Sequence, residues 1–108
     1  MSTIDDFSAL GLRVGRIAEV ADLEGARKPM YRLKVDLGEL GTREIAAGLK
    51  DHYAPEQLLD TDVIVVTGLE PKSIAGFISQ GMLLAAEDET GVALLRPERT
   101  LKPGSPVR

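Results

Sequence analysis

Six basic side chains stand where a small protein can hold a phosphodiester backbone. Arg27 and Lys28 share one loop, between the breakers Gly25 and Pro29. Arg32 and Lys34 alternate with the apolar residues Tyr31, Leu33, Val35 and Leu37. Arg43 and Lys72 follow further along. Guanidinium and ammonium groups meet phosphate oxygens through charge-assisted hydrogen bonds, and Arg does so in a two-pronged fashion. Acidic residues cluster elsewhere, at Asp5-Asp6 and Glu87-Asp88-Glu89. A cationic face on an acidic body is a recognised footprint for nucleic acid, because each patch acts only over about 8–10 Å. Alternating Arg and Lys on a half-exposed strand are also what a plain solvated face looks like.

Other chemistry is thin. The chain has no cysteine and one histidine, His52, which excludes thiolate nucleophiles, Cys-based metal sites and a two-His metal motif. His52 has Asp51 beside it, but no serine sits in a nucleophile-elbow context. Glu87-Asp88-Glu89 reads as a solvated hairpin turn before a cation site. These features predict no catalysis, no metal and no cofactor. The four aromatics are Phe7, Tyr31, Tyr53 and Phe77, and of these Phe77 alone falls in a binding-loop position. A multi-base stacking platform needs several exposed aromatics. Any RNA contact should therefore rest on phosphates and shape, with at most one base in a small pocket.

The elements that position these residues are short. At 108 residues a single domain, 1–108, is expected. The count of 13 Lys and Arg against 17 Asp and Glu gives a net charge of −4, which rules out a general basic coat. Thr3 caps a helical turn bearing Ile4, Phe7 and Leu10. Gly11 to Asp22 reads as a long strand with a parity switch at Gly15. Met30 to Leu37 alternates cleanly, and Gly38 and Gly41 bracket a turn into a strand at Thr42 to Ala47. Pro55 opens a short helix. Asp62 to Thr67 is a β-branched run buried on both faces. Gly68 to Gln80 forms a loop or ribbon. Gly81 to Ala86 and Val92 to Arg96 close as a hairpin, and a proline-punctuated tail runs over the surface. Five strands with one short helix between the third and fourth predict an all-β OB-fold, a small Greek-key barrel with extensions at both ends. Such barrels bind ligands with strands 2–3 and flanking loops. The loop at Arg27-Lys28 and the turn near Ser79 and Met82 should meet beside the outward cations. No apolar run reaches the roughly 18 residues of a membrane span, and Met1 to Asp6 lacks a signal-peptide pattern. A cytoplasmic location with no membrane partner is expected.

Five stretches in order carry a resemblance to a known family. They are Ile4-Asp5-Asp6-Phe7, Leu12-Arg13-Val14-Gly15-Arg16-Ile17, Leu33-Lys34-Val35-Asp36-Leu37-Gly38, His52-Tyr53-Ala54-Pro55-Glu56-Gln57-Leu58, and Ser79 through Asp88. Together they resemble the tRNA-binding domain family. That family includes the C-terminal appendage of methionyl-tRNA synthetases, free-standing tRNA-binding proteins and the export-related chaperone CsaA. Ala26-Arg27-Lys28-Pro29 looks most like the CsaA branch. The resemblance implies a non-catalytic homodimer, paired through Ile4, Phe7 and Leu10 at one end and Leu101, Pro103 and Val107 at the other. It implies tRNA contact by Lys28, with Arg27 next to it, and by the stretch in which Ser79 offers a hydroxyl and Met82 an apolar wall; the charge pattern adds Arg32, Arg43 and Lys72 as phosphate contacts. Two further roles come with it. A CsaA-like chaperone would hold unfolded or pre-secretory polypeptide on Phe77, Ile78 and Met82. An accessory, beta-type subunit would dock to a methionyl-tRNA synthetase. The synthetase-type pattern Asn-Leu-Lys-Pro appears here as Gly68-Leu69-Glu70-Pro71, which loses an amide and places an anion at Glu70.

Overall fold

In the computed structural model, which describes Met1–Arg108, the alternating run Tyr31–Asp36 is strand β2. Tyr31, Leu33 and Val35 are buried, and Arg32 and Lys34 are exposed. β2 lies between β1 (Leu12–Asp22) and β3 (Thr42–Ala47), antiparallel to both. β4 (Asp62–Val66) pairs with the other edge of β1, and the two-residue β7 (Met82–Leu83) with β4. The order β3-β2-β1-β4-β7 makes the five-stranded, nearly closed barrel that the pattern predicts. Two ribbons attach to it, β5 (Lys72–Ile74) with β6 (Phe77–Ser79), and β8 (Ala85–Asp88) with β9 (Gly91–Leu94). Helix α1 (Ile4–Ala9) precedes the barrel, and α2 (Pro55–Leu58) lies between β3 and β4. No helix is long and apolar enough to cross a membrane.

The barrel interior holds Ile17, Leu33, Val35, Leu37, Ile45, Val63 and Val65, with Leu58 delivered from α2. Each such side chain contributes about 1.5–3 kcal/mol by leaving water. Tyr31 and Tyr53 add directed bonds. The Tyr31 hydroxyl donates to the Tyr53 carbonyl at 2.7 Å, and the Tyr53 hydroxyl accepts the Leu94 N–H at 3.0 Å.

β4 is buried on both faces, as its β-branched run predicts. Val63 and Val65 point inward. Ile64 and Val66 point outward beside Val14 and Leu12, their register partners. The C-terminal tail extends the sheet at the edge of β1 away from β4. β2 pairs with β1 only from Arg16 to Asp22, and the tail takes the edge that remains. Val14 N–H donates to Ser105 O, Gly104 N–H to Val14 O and Val107 N–H to Leu12 O, at 2.7–3.0 Å. The Arg13 guanidinium adds a bond to Gly104 O at 3.1 Å.

Two expectations need correction. The parity switch is not at Gly15, because β1 keeps register with β4 from Leu12 to Arg16. The bulge falls between Ile17 and Glu19, so Ala18 is the extra residue against β2. Gly15 faces the core instead. A β-carbon there would lie 2.5 Å from Val35 Cγ1 and 3.0 Å from Val65 Cγ2. Leu12 and Val14 share the outward parity, beside Val66 and Ile64. Nor does Gly81 to Ala86 run as one strand. Met82–Leu83 pairs with β4, Leu84 N–H donates to Ile64 O, and Ala85 onward turns away to β9. The chain leaves β4 after Ile64, before β4's first residues Asp62 and Val63 are reached.

Candidate nucleic-acid interface

The sheet closes into a barrel where β3 meets the segment Ser79–Gly81, and side chains complete that closure. One backbone bond joins them, Gln80 N–H to Glu44 O at 2.8 Å. The Gln80 side-chain oxygen accepts the Glu44 N–H at 2.9 Å, and the Ser79 hydroxyl accepts the Ala46 N–H at 2.9 Å. Ser79 is buried and donates onward to Gly81 O at 3.2 Å. Arg43 carries the core-facing parity of Ile45 and Ala47, and its guanidinium donates to Thr67 O at 2.7 Å and Gln80 O at 3.1 Å. Both residues therefore hold the barrel shut: Arg43 does not stand among the outward cations where the sequence reading puts it, and the Ser79 hydroxyl is spent on backbone groups. Ser79→Ala leaves the Ala46 N–H without a partner, a loss of about 1–3 kcal/mol. Chemical denaturation should show the lowered midpoint, while affinity for RNA stays nearly unchanged. A drop in affinity at constant stability would restore the direct contact.

Outside the barrel, the outward residues of β1, β2 and β3 line up in two rows. Register places Glu19, Lys34 and Glu44 side by side in one row and Ala21, Arg32 and Ala46 in the next. The β5–β6 ribbon rises as a wall on one side. Phe77 from that wall faces the rows and lines a groove with Glu19, Ala21, Arg32, Lys34 and Glu44. The groove continues past Arg32 and Phe77 toward Leu23, Glu24 and the ribbon tip Ala75-Gly76. Ala75 and Gly76 have φ of 52° and 80°, the two left-handed residues of a tight hairpin turn. A non-glycine residue held this way costs about 1–2 kcal/mol. The turn brings Ala75 against the β1–β2 loop, where a β-carbon on Gly25 would lie 3.7 Å from that of Ala75. The loop that carries Arg27 and Lys28 thus meets the tip of the ribbon, and not Ser79 or Met82, the turn that the sequence reading sets beside it.

Charge in the groove is sorted. Lys34 Nζ lies 3.0 Å from Glu19 Oε2, and Lys50 pairs with Asp22 at 3.1 Å. Arg27, Lys28, Arg32 and Lys72 are exposed and lack a carboxylate within ion-pair distance. Arg27 and Lys28 lie on the rim loop, Arg32 on the floor, and Lys72 on the ribbon opposite Ser79. At the far hairpin, the Asp88 carboxylate accepts the Thr90 hydroxyl at 2.6 Å and its N–H at 2.7 Å, and these bonds lower its pKa. That acidic turn is a self-bonded hairpin end.

The apolar candidates scatter. Ile78 alternates to the opposite face of the ribbon from Phe77 and is 52% exposed. Met82 stands opposite Val66, on the outer side of β4 and away from the groove rows. Phe77, Ile78 and Met82 therefore make no common wall. Helix α1 buries no residue, and its Ile4, Phe7 and Leu10 remain exposed. Leu101, Pro103 and Val107 are half-buried along the tail. The end of α1 is pinned by Gly68 N–H to Leu10 O at 2.9 Å. A β-carbon at Gly68 would lie 2.0 Å from Ala9 O, so the glycine that replaces the synthetase-type asparagine seats the terminal segment. Glu44 and the two alanines were missed from the sequence. Alternation marks Glu44 and Ala46 as outward, but cross-strand register is what brings them to Arg32 and Lys34.

Similarity to known proteins agrees with this geometry. A family model described as "Putative tRNA binding domain" matches residues 12–106. The methionine–tRNA ligase of Pyrococcus abyssi is 54% identical over 104 residues, which is 96% of this chain and 14% of that protein. That of Leptospira interrogans is 42% identical over 106 residues, 98% of this chain and 15% of that protein. The chain thus spans about a seventh of the length of these curated relatives. Among solved structures, the CsaA chaperone protein of Picrophilus torridus superposes with a TM-score of 0.93 at 38% identity, covering all of both chains. A MetRS-related protein of Pyrococcus horikoshii gives 0.88 at 32%, covering 100% of this chain and 98% of that one. The ligase region shares more sequence, and the CsaA chain shares its whole length. With this match across nearly all of its barrel, the chain belongs to the tRNA-binding domain family.

Proposed function

We propose that this chain is a non-catalytic RNA-binding module that takes tRNA, or RNA folded like it, by phosphate contacts and shape. The observation that carries the reading is the set of unpaired cations, Arg27, Lys28 and Lys72, around a groove whose floor holds Arg32. Rim cations hold the backbone, while a single aromatic, Phe77, serves at most one base. Its family membership and the tRNA ligases among its relatives support the partner class. A module of this kind works in the cytoplasm. Titration of bulk tRNA at two salt concentrations tests it. Three phosphate contacts imply a fall of roughly 20- to 50-fold between 50 and 200 mM salt. An affinity indifferent to salt would overturn the reading.

The same reading includes a homodimer. Its support is the exposed apolar face of α1 (Ile4 is 76% exposed), together with the half-buried Leu101, Pro103 and Val107 of the tail. A twofold pair doubles the cationic rim and gains by effective concentration on one RNA. Light scattering is expected to return twice the chain mass, and a monomer at micromolar concentration would remove this part.

Likeness to CsaA over the full chain favours a second reading, a chaperone that holds unfolded or pre-secretory polypeptide. Its signature is suppression of client aggregation that survives high salt. The scatter of Ile78 and Met82 away from Phe77 leaves it the smaller surface. Likeness to methionine–tRNA ligases supports attachment to such an enzyme, which co-purification would reveal.

A further inference from the structure

The groove's charge order is specific enough to name a base. Resting on the RNA-binding reading above, we infer that the groove takes one unpaired guanine of the bound RNA, read by Lys34 and Glu44 and stacked on Phe77.

The floor row presents, in order, a carboxylate, an ammonium and a carboxylate, from Glu19, Lys34 and Glu44. The Glu19 carboxylate lies 3.0 Å from the Lys34 ammonium, on the side away from Glu44. Glu44 is exposed, and its carboxylate makes no ion pair. Its backbone is clamped on both sides by Gln80, so the side chain starts from a fixed point. Lys34 and Glu44 are direct cross-strand partners, which sets their β-carbons about 4.5–5.5 Å apart. A donor thus sits beside a group that accepts two bonds. The Watson–Crick edge of guanine is the complement: O6 accepts, then N1–H and N2–H donate. Uracil turns a carbonyl toward the second carboxylate oxygen. Adenine and cytosine offer a single donor on that edge, and a carboxylate holds it with one oxygen.

Two further features favour a base over a phosphate. The row carries a net charge of −1 and Arg32 in the next row brings the floor to zero, so the floor offers a phosphate no net attraction and the rim cations hold it. Phe77 offers a flat face, and Arg32 stands between Ala21 and Ala46, whose short side chains leave its guanidinium open. Aromatic and guanidinium planes are the usual stacking surfaces for a splayed base.

The test is fluorescence anisotropy of the whole chain with RNA stem-loops that differ in one loop base. The guanine loop is expected to bind about tenfold tighter than the uracil loop, with inosine, which lacks the N2 amino group, in between. Glu44→Gln turns an amide N–H toward N2–H and brings the guanine loop down to the level of the others. An unchanged unfolding midpoint shows that this variant is folded. Phe77→Ala weakens every loop. Equal binding of all loops, or a guanine preference that survives in Glu44→Gln, overturns the inference alone. Failure of every loop to bind overturns the RNA reading beneath it.

Discussion

With Arg27 and Lys28 both changed to Glu, affinity for tRNA at low salt is expected to fall by about a hundredfold while the unfolding midpoint stays put. The two side chains are exposed, sit on a loop and have no partner within the chain, so nothing in the fold depends on them. Charge reversal removes two phosphate contacts and adds two repulsions. The slope of log affinity against log salt should flatten by about two. Arg99→Glu, on the surface lined by Arg16 and Asp62 instead of the groove, is the control and should change little. Anisotropy across a salt series, with urea unfolding in parallel, separates the outcomes. If the double variant binds as the parent does, the rim loop is not where RNA sits. The glutamate at position 70 makes this loop matter more, because the β4–β5 connection brings an anion where the synthetase-type pattern has a lysine.

Gly15→Val is expected to leave no cooperative unfolding transition, and Gly15→Ala to cost about 1–3 kcal/mol. A β-carbon at this position meets Val35 Cγ1 at 2.5 Å, Val65 Cγ2 at 3.0 Å and Leu37 Cδ2 at 3.2 Å. All three neighbours are fully buried, and they come from β2, from β4 and from the residue that follows β2. None can move without opening a gap elsewhere, because packing around them is close. A valine adds two more methyl groups to that clash, against a total stability of about 5–15 kcal/mol for a domain of this kind. Urea denaturation followed by circular dichroism decides it. A wild-type midpoint for Gly15→Ala would show that β1 shifts away from the core at no cost.

How much of this was visible in the residues differs by scale. The alternation of Tyr31, Leu33 and Val35 against Arg32 and Lys34 states which way each side chain of β2 points. The run Val63-Ile64-Val65-Val66 states that β4 is covered twice, and Pro55 marks the helix between the third and fourth strands. Each of these is a local signal, set by a strand period of two or by a fixed proline φ. The Arg27-Lys28 loop was visible for the same reason, as a breaker-bounded basic segment.

The remainder depends on which residues become neighbours across the barrel. Gly15 looked like a bulge because glycine often marks one, yet its use is to clear room for Val35, and only the pairing of β1 with β2 and β4 shows that. Arg43 and Ser79 have types suited to RNA, but the meeting of β3 with Ser79–Gly81 turns both toward backbone groups that closure would otherwise orphan. Ile78 and Met82 are apolar and near Phe77 in sequence, and strand alternation and the β4 pairing send each to a different surface. From its residues alone, then, this protein's strands, their buried faces and its basic loop are determined, since these follow from local periodicity and turn chemistry. The register that sets Lys34 beside Glu44, and the closure that removes Arg43 and Ser79 from the groove, were decided by tertiary structure, because long-range pairing chooses partners that no local pattern encodes.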